Sequence, residues 1–345
     1  MRVVLDAMGG DHAPQVVVAG AVEAARAYDL EIVLVGREDQ VRAELARHDT
    51  TGLSLPIFHT SEVIEMEEHP AMAVRRKTDS SIVVGMRMVR DGQADAFVSA
   101  GNSGAVMAAA TLILGRVRGV ERPTLATVFP SRKGFFLLAD IGANTDCHPE
   151  YLLQFATMAA IYAEKVYGIA NPRVALLANG EEDTKGDRLV QEAHALLRQA
   201  AGLNFVGNVE PKEMLTGGAD VVIADGFVGN VFVKATEAAA ETLLGMVREE
   251  LTRSLFTKMP AALLKPAFRR LKGRLDYSEY GGALLLGLNG AAIIGHGRSD
   301  AHAIRNAIRV ARDAVARGAV AAVSQAFASP EQAAPPERPQ EAADV

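Results

Sequence analysis

The chain has 345 residues, 49% of them hydrophobic, with 31 glycines and no tryptophan, enough to bury a large core as one domain or two smaller ones. A net charge of −6 gives no overall attraction to nucleic acid, and the low aromatic content argues against a stacking surface for sugars or single strands. The single cysteine, Cys147, excludes an intramolecular disulfide and a cysteine-rich zinc site, and fits a reducing cytoplasm.

In chain order, Met1 to Asp6 enters a strand at once (Val3 to Leu5) and does not read as a signal peptide. A polar glycine turn follows, and a helical pattern with Pro14 in its first turn runs to about Tyr28. Strands are expected at Glu31 to Val35, Leu55 to Phe58 and Ala96 to Ser99. Between them lie a polar helix to about His48, a charged irregular stretch from Ser61 to Asp79 and a helix from Ser80 to Arg90. Leu125 to Phe129 and Phe135 to Leu138 read as paired strands. A helix from Pro149 to Tyr167 precedes strands at Arg173 to Ala178, Asn204 to Val209 and Asp220 to Ala224, with a helix from Asp187 between the first two. A long helix starts near Asn230, and a final one spans Asp300 to Arg317. The longest apolar run, Gly281 to Gly295, falls short of a membrane span, is broken by Gly287, Asn289 and Gly290, and reads as two core strands around a turn. Strands alternating with helices imply an α/β fold: a doubly wound, mostly parallel sheet with helices on both faces. Ligands of such sheets bind beyond the carboxyl ends of the strands, so the glycine loops there are expected along one rim. Beyond Ala328, four prolines and several glutamates with few bulky apolar residues predict a disordered tail over 329–345.

Four strand ends share one device. Asp6-Ala7-Met8-Gly9-Gly10-Asp11, Ala100-Gly101-Asn102-Ser103-Gly104, Asp140-Ile141-Gly142-Ala143-Asn144 and Asp225-Gly226-Phe227-Val228-Gly229-Asn230 each join glycine to Asn, Ser or Asp. Glycine exposes backbone N–H groups and the short polar side chains add donors and acceptors without bulk, as an anion-tolerant cleft requires. None matches the dinucleotide or P-loop fingerprints, so neither NAD nor ATP is expected. Lys185 in Thr184-Lys185-Gly186 puts a positive charge at a strand-to-helix turn, suited to a phosphate or a developing oxyanion. His12 and His296 lie in glycine-flanked loops and are further candidates. Cys147-His148 reads as structural, because neighbours in a chain seldom point their side chains at each other.

Leu251 to Leu275 stands apart. It carries seven Lys or Arg and no acid, with apolar residues at helical spacing, and Pro260 and Pro266 predict a break into a basic amphipathic helical hairpin. Such an element suits an anionic membrane surface or an acidic protein, here through Leu255, Met259, Leu263, Lys265, Phe268, Arg269 and Arg270.

The four loops, together with Asn179-Gly180-Glu181-Glu182 and Lys185-Gly186, resemble in order the motifs of the phosphate acyltransferases (PlsX) of bacterial phospholipid synthesis, over Met1 to about Ala328. The resemblance implies a fold like that of isocitrate and isopropylmalate dehydrogenases and of phosphotransacetylases, and a homodimer at the inner face of the cell membrane. It implies the reaction of acyl-[acyl carrier protein] with inorganic phosphate to give acyl phosphate, which a membrane glycerol 3-phosphate acyltransferase would consume, with no metal or organic cofactor. Lys185 and Asn230 match the family's catalytic lysine and asparagine. Gly9, Gly10, Asp11, His12, Gly101, Asn102, Ser103, Gly104, Asn144, Gly226 and Gly229 are expected around phosphate and substrate, with N–H groups near Gly229 assisting Asn230. A phosphotransacetylase-like enzyme using acyl-coenzyme A and a non-catalytic membrane scaffold are the alternatives. A dehydrogenase of the isopropylmalate type lacks its motifs here.

Overall fold

The computed structural model describes residues 1–253, 263–268, 273, 279 and 281–328. Eleven strands form one sheet in the order β3-β2-β1-β4-β11-β10-β5-β6-β9-β7-β8. They are β1 (Arg2–Asp6), β2 (Glu31–Gly36), β3 (Ile57–His59), β4 (Ala96–Ser99), β5 (Thr124–Ser131), β6 (Gly134–Ala139), β7 (Val174–Leu177), β8 (Phe205–Val209), β9 (Val221–Ile223), β10 (Ala283–Leu286) and β11 (Ala291–Ile294). The helices are α1 (Gln15–Tyr28), α2 (Glu38–Leu45), α3 (Pro70–Arg76), α4 (Ser81–Arg90), α5 (Ser103–Ala109), α6 (Pro149–Tyr167), α7 (Arg188–Gln199), α8 (Pro211–Thr216), α9 (Gly226–Thr252), α10 (Ala301–Ala316) and α11 (Ala319–Ala328). The α/β class and the mostly parallel sheet flanked by helices agree with the sequence reading.

The sheet contains two parallel blocks. β3, β2, β1, β4 and β11 are parallel to one another, and so are β6, β9, β7 and β8. Between them β11–β10, β10–β5 and β5–β6 are all antiparallel. Three reversals leave the two blocks running in opposite directions. The carboxyl ends of β1, β4 and β11 therefore do not share a rim with those of β6, β9 and β7, and the single-rim expectation is corrected.

Successive strand residues point to opposite faces. On one face they feed a continuous core: Val3, Leu5, Ile32, Leu34, Val98, Ile293, Leu284, Leu137, Ile223 and Leu176 are buried together with α1, α6, α7, α10 and α11. Gly20 of α1 permits the closest helix contact there, since a Cβ would sit 2.6 Å from the Cβ of Ile304 on α10. The other face carries two separate cores. Val4, Val33, Phe97, Leu285 and Ile294 pack with α4 and α5 over the first block, while Phe136, Leu138, Val222 and Leu177 pack over the second with Met214 of α8 and Phe232 and Val233 of α9. Ile141 packs against both, and marks the seam between them.

Three local readings need revision. α9 starts at Gly226 rather than near Asn230: Asp225 is its N-cap and accepts from the N–H groups of Phe227 and Val228. The last helix of the sequence reading, α10, is followed by α11. In the expected hairpin, residues 263–268 are helical with Pro266 inside the run, so Pro266 does not end a helix there. Residues 254–262, with Leu255 and Met259, lie outside the described residues, as do Arg269, Arg270 and the 329–345 tail.

Candidate active site

At the first block, three loops interlock. The buried Asp6 carboxylate accepts from Met8 N at 3.1 Å and from Ser99 Oγ at 2.7 Å, and Ser99 Oγ in turn accepts from Gly101 N at 3.0 Å. Gly9 is obligatory, because a Cβ would lie 2.4 Å from Asp6 Oδ2 and 2.7 Å from Gly101 N. Asp11 N donates to Gly297 O at 2.9 Å, which ties the Gly9–His12 turn to the loop after β11. Gly10, at φ +112°, turns beneath it. His12 and Ser103 are exposed at this end.

Asn102 is brought here, but its amide is consumed. Oδ1 caps α5 by accepting from Ala105 N at 3.0 Å, and Nδ2 faces the carbonyls of Glu65, Met66 and Glu68 at 3.0–3.1 Å. Donor and acceptor are thus both engaged, and Asn102 anchors the 65–68 loop. Gly104 lets α5 lie against Pro70.

At the second block, Asp140 organises the loop. Its carboxylate accepts from the N–H groups of Leu125, Gly142, Ala143 and Asn144 and from Asn144 Nδ2, at 2.7–3.3 Å. Burial pushes the Asp140 carboxyl up, with the Ala143, Asn144 and Leu125 hydrogen bonds pulling it back. Five converging donors leave no acceptor for a carboxyl proton, so the geometry requires the carboxylate. Asn144 spends its Nδ2 on Asp140 and Pro123 O.

α9 docks directly on this loop. Gly226 N donates to Asn144 O at 2.7 Å, and Asn230 Nδ2 donates to Ile141 O at 3.0 Å. Gly142, at φ +139°, faces Asn230 so closely that a Cβ would sit 2.5 Å from Nδ2. A Cβ on Gly229 would meet Asp140 O at 1.9 Å. The expected N–H donors near Gly229 are occupied, since Gly229 N donates to Asp225 O. Asn230 itself keeps one amide hydrogen and Oδ1 without a partner among the described residues. It stands at the seam beside Ile141.

Lys185 is exposed, and its stem crosses Gly180, where a Cβ would lie 2.6 Å from Lys185 Cγ. Lys185 and Asn230 come from neighbouring strand ends, β7 and β9, with no hydrogen bond or ion pair joining them.

α9 spans the two blocks. Two turns beyond its start, Lys234 lies within electrostatic reach of His296, and Glu237 within reach of Arg298. The His296 imidazole is held below its usual range by partial burial and then by Arg298 and Lys234, with Asp11 opposing. Lys234 and Arg298, which flank His296 and Glu237 electrostatically, were not singled out from the sequence. Arg298 was findable from its place in the same strand-ending glycine loop as His296. Lys234 had no local signal. The Cys147 thiol is pushed up to about 12, mainly by burial and then by Asp140, and points to Asn144 O, which agrees with a structural cysteine.

The profile of the fatty acid synthesis protein family matches residues 1–322. A phosphate acyltransferase of Herpetosiphon aurantiacus is 52% identical over 95% of this chain and 98% of its own length. One from Pelotomaculum thermopropionicum is 54% identical over 91% and 92%. The chain belongs to the phosphate acyltransferase family. As a phosphate acyltransferase it shares its fold with EutD phosphotransacetylase from Staphylococcus aureus, at TM-score 0.56 and 17% identity over 94% of both chains. A 4-hydroxythreonine-4-phosphate dehydrogenase from Klebsiella pneumoniae matches at TM-score 0.54 and 16% identity over 91% of this chain and 99% of that one. Among the described residues, no helix of this phosphate acyltransferase is long and apolar enough to cross a membrane.

Proposed function

We propose that this acyltransferase moves a fatty acyl group from acyl-[acyl carrier protein] to inorganic phosphate, with Lys185 and Asn230 as the catalytic pair. The observation that carries the reading is the half-engaged Asn230 amide, fixed on Ile141 O at the seam between the two cores. A phosphate oxygen attacks the thioester carbonyl carbon, the C–O bond forms, and the C–S bond breaks as the tetrahedral oxyanion collapses. The departing thiolate takes up the proton that phosphate gives up. Phosphate is itself the nucleophile, so the inert Cys147 thiol has no covalent role. The free Asn230 hydrogen donates to the oxyanion; one such donor is worth on the order of 100-fold in kcat. Lys185 positions phosphate and offsets its charge, and Lys234 and Arg298 extend the positive field toward His12 and Ser103.

In this reading the enzyme is a cytoplasmic homodimer bound peripherally to the inner face of the membrane, handing acyl phosphate to a membrane glycerol 3-phosphate acyltransferase. Support comes from α9, in which only Gly226 and Gly229 are buried while Phe227, Val231, Leu243 and Met246 are exposed. Leu263 is 83% exposed beside the exposed Lys265, as a membrane-facing segment requires, and Phe268 is half-buried. Replacing Leu263 and Phe268 with Asp should abolish liposome binding, and unchanged binding would remove the membrane role.

The deciding experiment follows phosphate-dependent loss of acyl groups from acyl-[acyl carrier protein] and from acyl-coenzyme A, for wild type, Lys185→Ala and Asn230→Ala. Turnover by wild type alone on the carrier-bound donor is the expected result. Preference for coenzyme A replaces the donor, turnover by both variants discards the pair, and no turnover at all returns the scaffold reading.

A further inference from the structure

The loop that carries Lys185 is held from beneath by a buried polar pair. His194 on α7 and Asn208 on β8 are 5% and 8% exposed. His194 Nδ1 meets Asn208 Oδ1 at 2.9 Å, and the ring stands edge-on to Phe205 with centroids 5.1 Å apart. Asn208 Nδ2 donates to Glu182 O at 2.9 Å, and Glu182 O also accepts from Lys185 N at 3.0 Å. Because the amide nitrogen of Asn208 is spent on Glu182, its oxygen faces the ring, and His194 Nδ1 carries the proton that it donates. On its far side His194 Nε2 lies 3.4 Å from Asp183 Oδ1, and Asp183 is also paired with Arg198.

We propose that His194 and Asn208 form a clamp that sets the position of Lys185. The chain of contacts runs from His194 through Asn208 to the Glu182 carbonyl, and from there to the Lys185 backbone. A second anchor closes the loop on the other side of Lys185. Gln191 Nε2 donates to Thr184 O and Gly186 O, and Gly186 N donates to Asn179 Oδ1. An exposed lysine with no ion-pair partner is normally free to roam. Here its backbone is fixed at Glu182, Thr184 and Gly186, and only the side chain remains to meet an anion. The pair directs Asn208 Nδ2 into one carbonyl of the loop, while His194 Nε2 is buried without a hydrogen bond and has only the Asp183 carboxylate nearby. His194 and Asn208 are thus positioning residues, and the proposal rests on the reading of Lys185 as the phosphate-holding cation.

Hydrogen exchange on the full chain tests the clamp apart from catalysis. His194→Leu should speed exchange of the 182–186 amides at least tenfold while β1, β4 and β6 stay protected. His194→Asn, whose amide nitrogen takes the place of Nδ1, should restore protection. Asn208→Asp keeps the size and the acceptor for His194 but loses the donor to Glu182, so it should expose the same amides even where His194→Leu fails to fold. Unchanged exchange of 182–186 in Asn208→Asp overturns the clamp. In kinetics, Asn208→Asp should raise KM for inorganic phosphate at least fivefold and leave KM for the acyl donor unchanged; equal changes in both overturn a role specific to Lys185. If Lys185→Ala keeps full activity, the catalytic reading falls, and the exchange result still decides the clamp.

Discussion

Gly229→Ala isolates the contact on which the proposed site depends. A Cβ there would lie 1.9 Å from Asp140 O, a backbone atom with no rotamer to move, and real Cβ atoms essentially never come within 3.0 Å. α9 and the Asp140–Asn144 loop must part by about 1 Å, the scale at which overpacking costs about 1–3 kcal/mol. The same movement stretches the bonds from Asn230 Nδ2 to Ile141 O and from Gly226 N to Asn144 O, each worth about 1 kcal/mol net. A loss of about 2–4 kcal/mol in stability is expected, with kcat/KM down on the order of 100-fold, since a 1 Å misplacement of a reacting group costs about that. Gly245→Ala is the control: it lies in the same helix with nothing within 4 Å of its Cβ, and should gain about 1 kcal/mol with activity unchanged. Urea melts and phosphate-dependent turnover read both variants. A Gly229→Ala protein with wild-type kcat/KM would refute the claim that the α9–loop contact sets Asn230.

Gly180→Ala should lower kcat/KM about tenfold or more with little loss of stability, because its Cβ displaces the Lys185 stem; unchanged turnover would mean that Lys185 acts from another position. Cys147→Ala should keep wild-type activity, and the wild-type thiol should resist alkylation at pH 8, since burial holds it far above neutrality; rapid labelling with loss of turnover would contradict this. Burial raises the Asp6 carboxyl above its usual value, against hydrogen bonds from Ser81, Ser99, Met8 and Gly9. The folded chain therefore holds that proton to higher pH than the unfolded chain. The stability this supplies is complete below about pH 4 and is lost as pH rises through the raised value. Asp6→Asn, which can donate to Ser99 and accept from Met8, should remove that slope. Urea midpoints across pH 4–8 should show wild type losing ground to the variant as pH rises, and a flat difference would refute it.

The strands and most helices were legible because their signals are local. Continuous apolar runs buried on both faces mark β1, β2 and β4, and Pro149 and Gly168 bracket α6. Two of the three antiparallel pairs, β5–β6 and β10–β11, join strands adjacent in the chain and could also be read as hairpins. What stayed hidden was their combined effect. Each reverses the chain, and the β10–β5 pairing, between residues about 160 apart in sequence, adds the third reversal that opposes the two blocks. The site shows the same limit. Asn102, the N-cap of α5, and Asn230, in the first turns of α9, both follow a strand end with glycines and both read as ligands of an anion. Asn102 is spent because three carbonyls of the 65–68 loop converge on it from more than thirty residues away. Asn230 is half-spent because Ile141, 89 residues earlier, presents only one. A short polar side chain in a glycine loop is thus a candidate by type alone. Its capacity for chemistry is set by how many of its hydrogen bonds are already taken, and by that measure Asn230 keeps the amide hydrogen that Asn102 and Asn144 have given up.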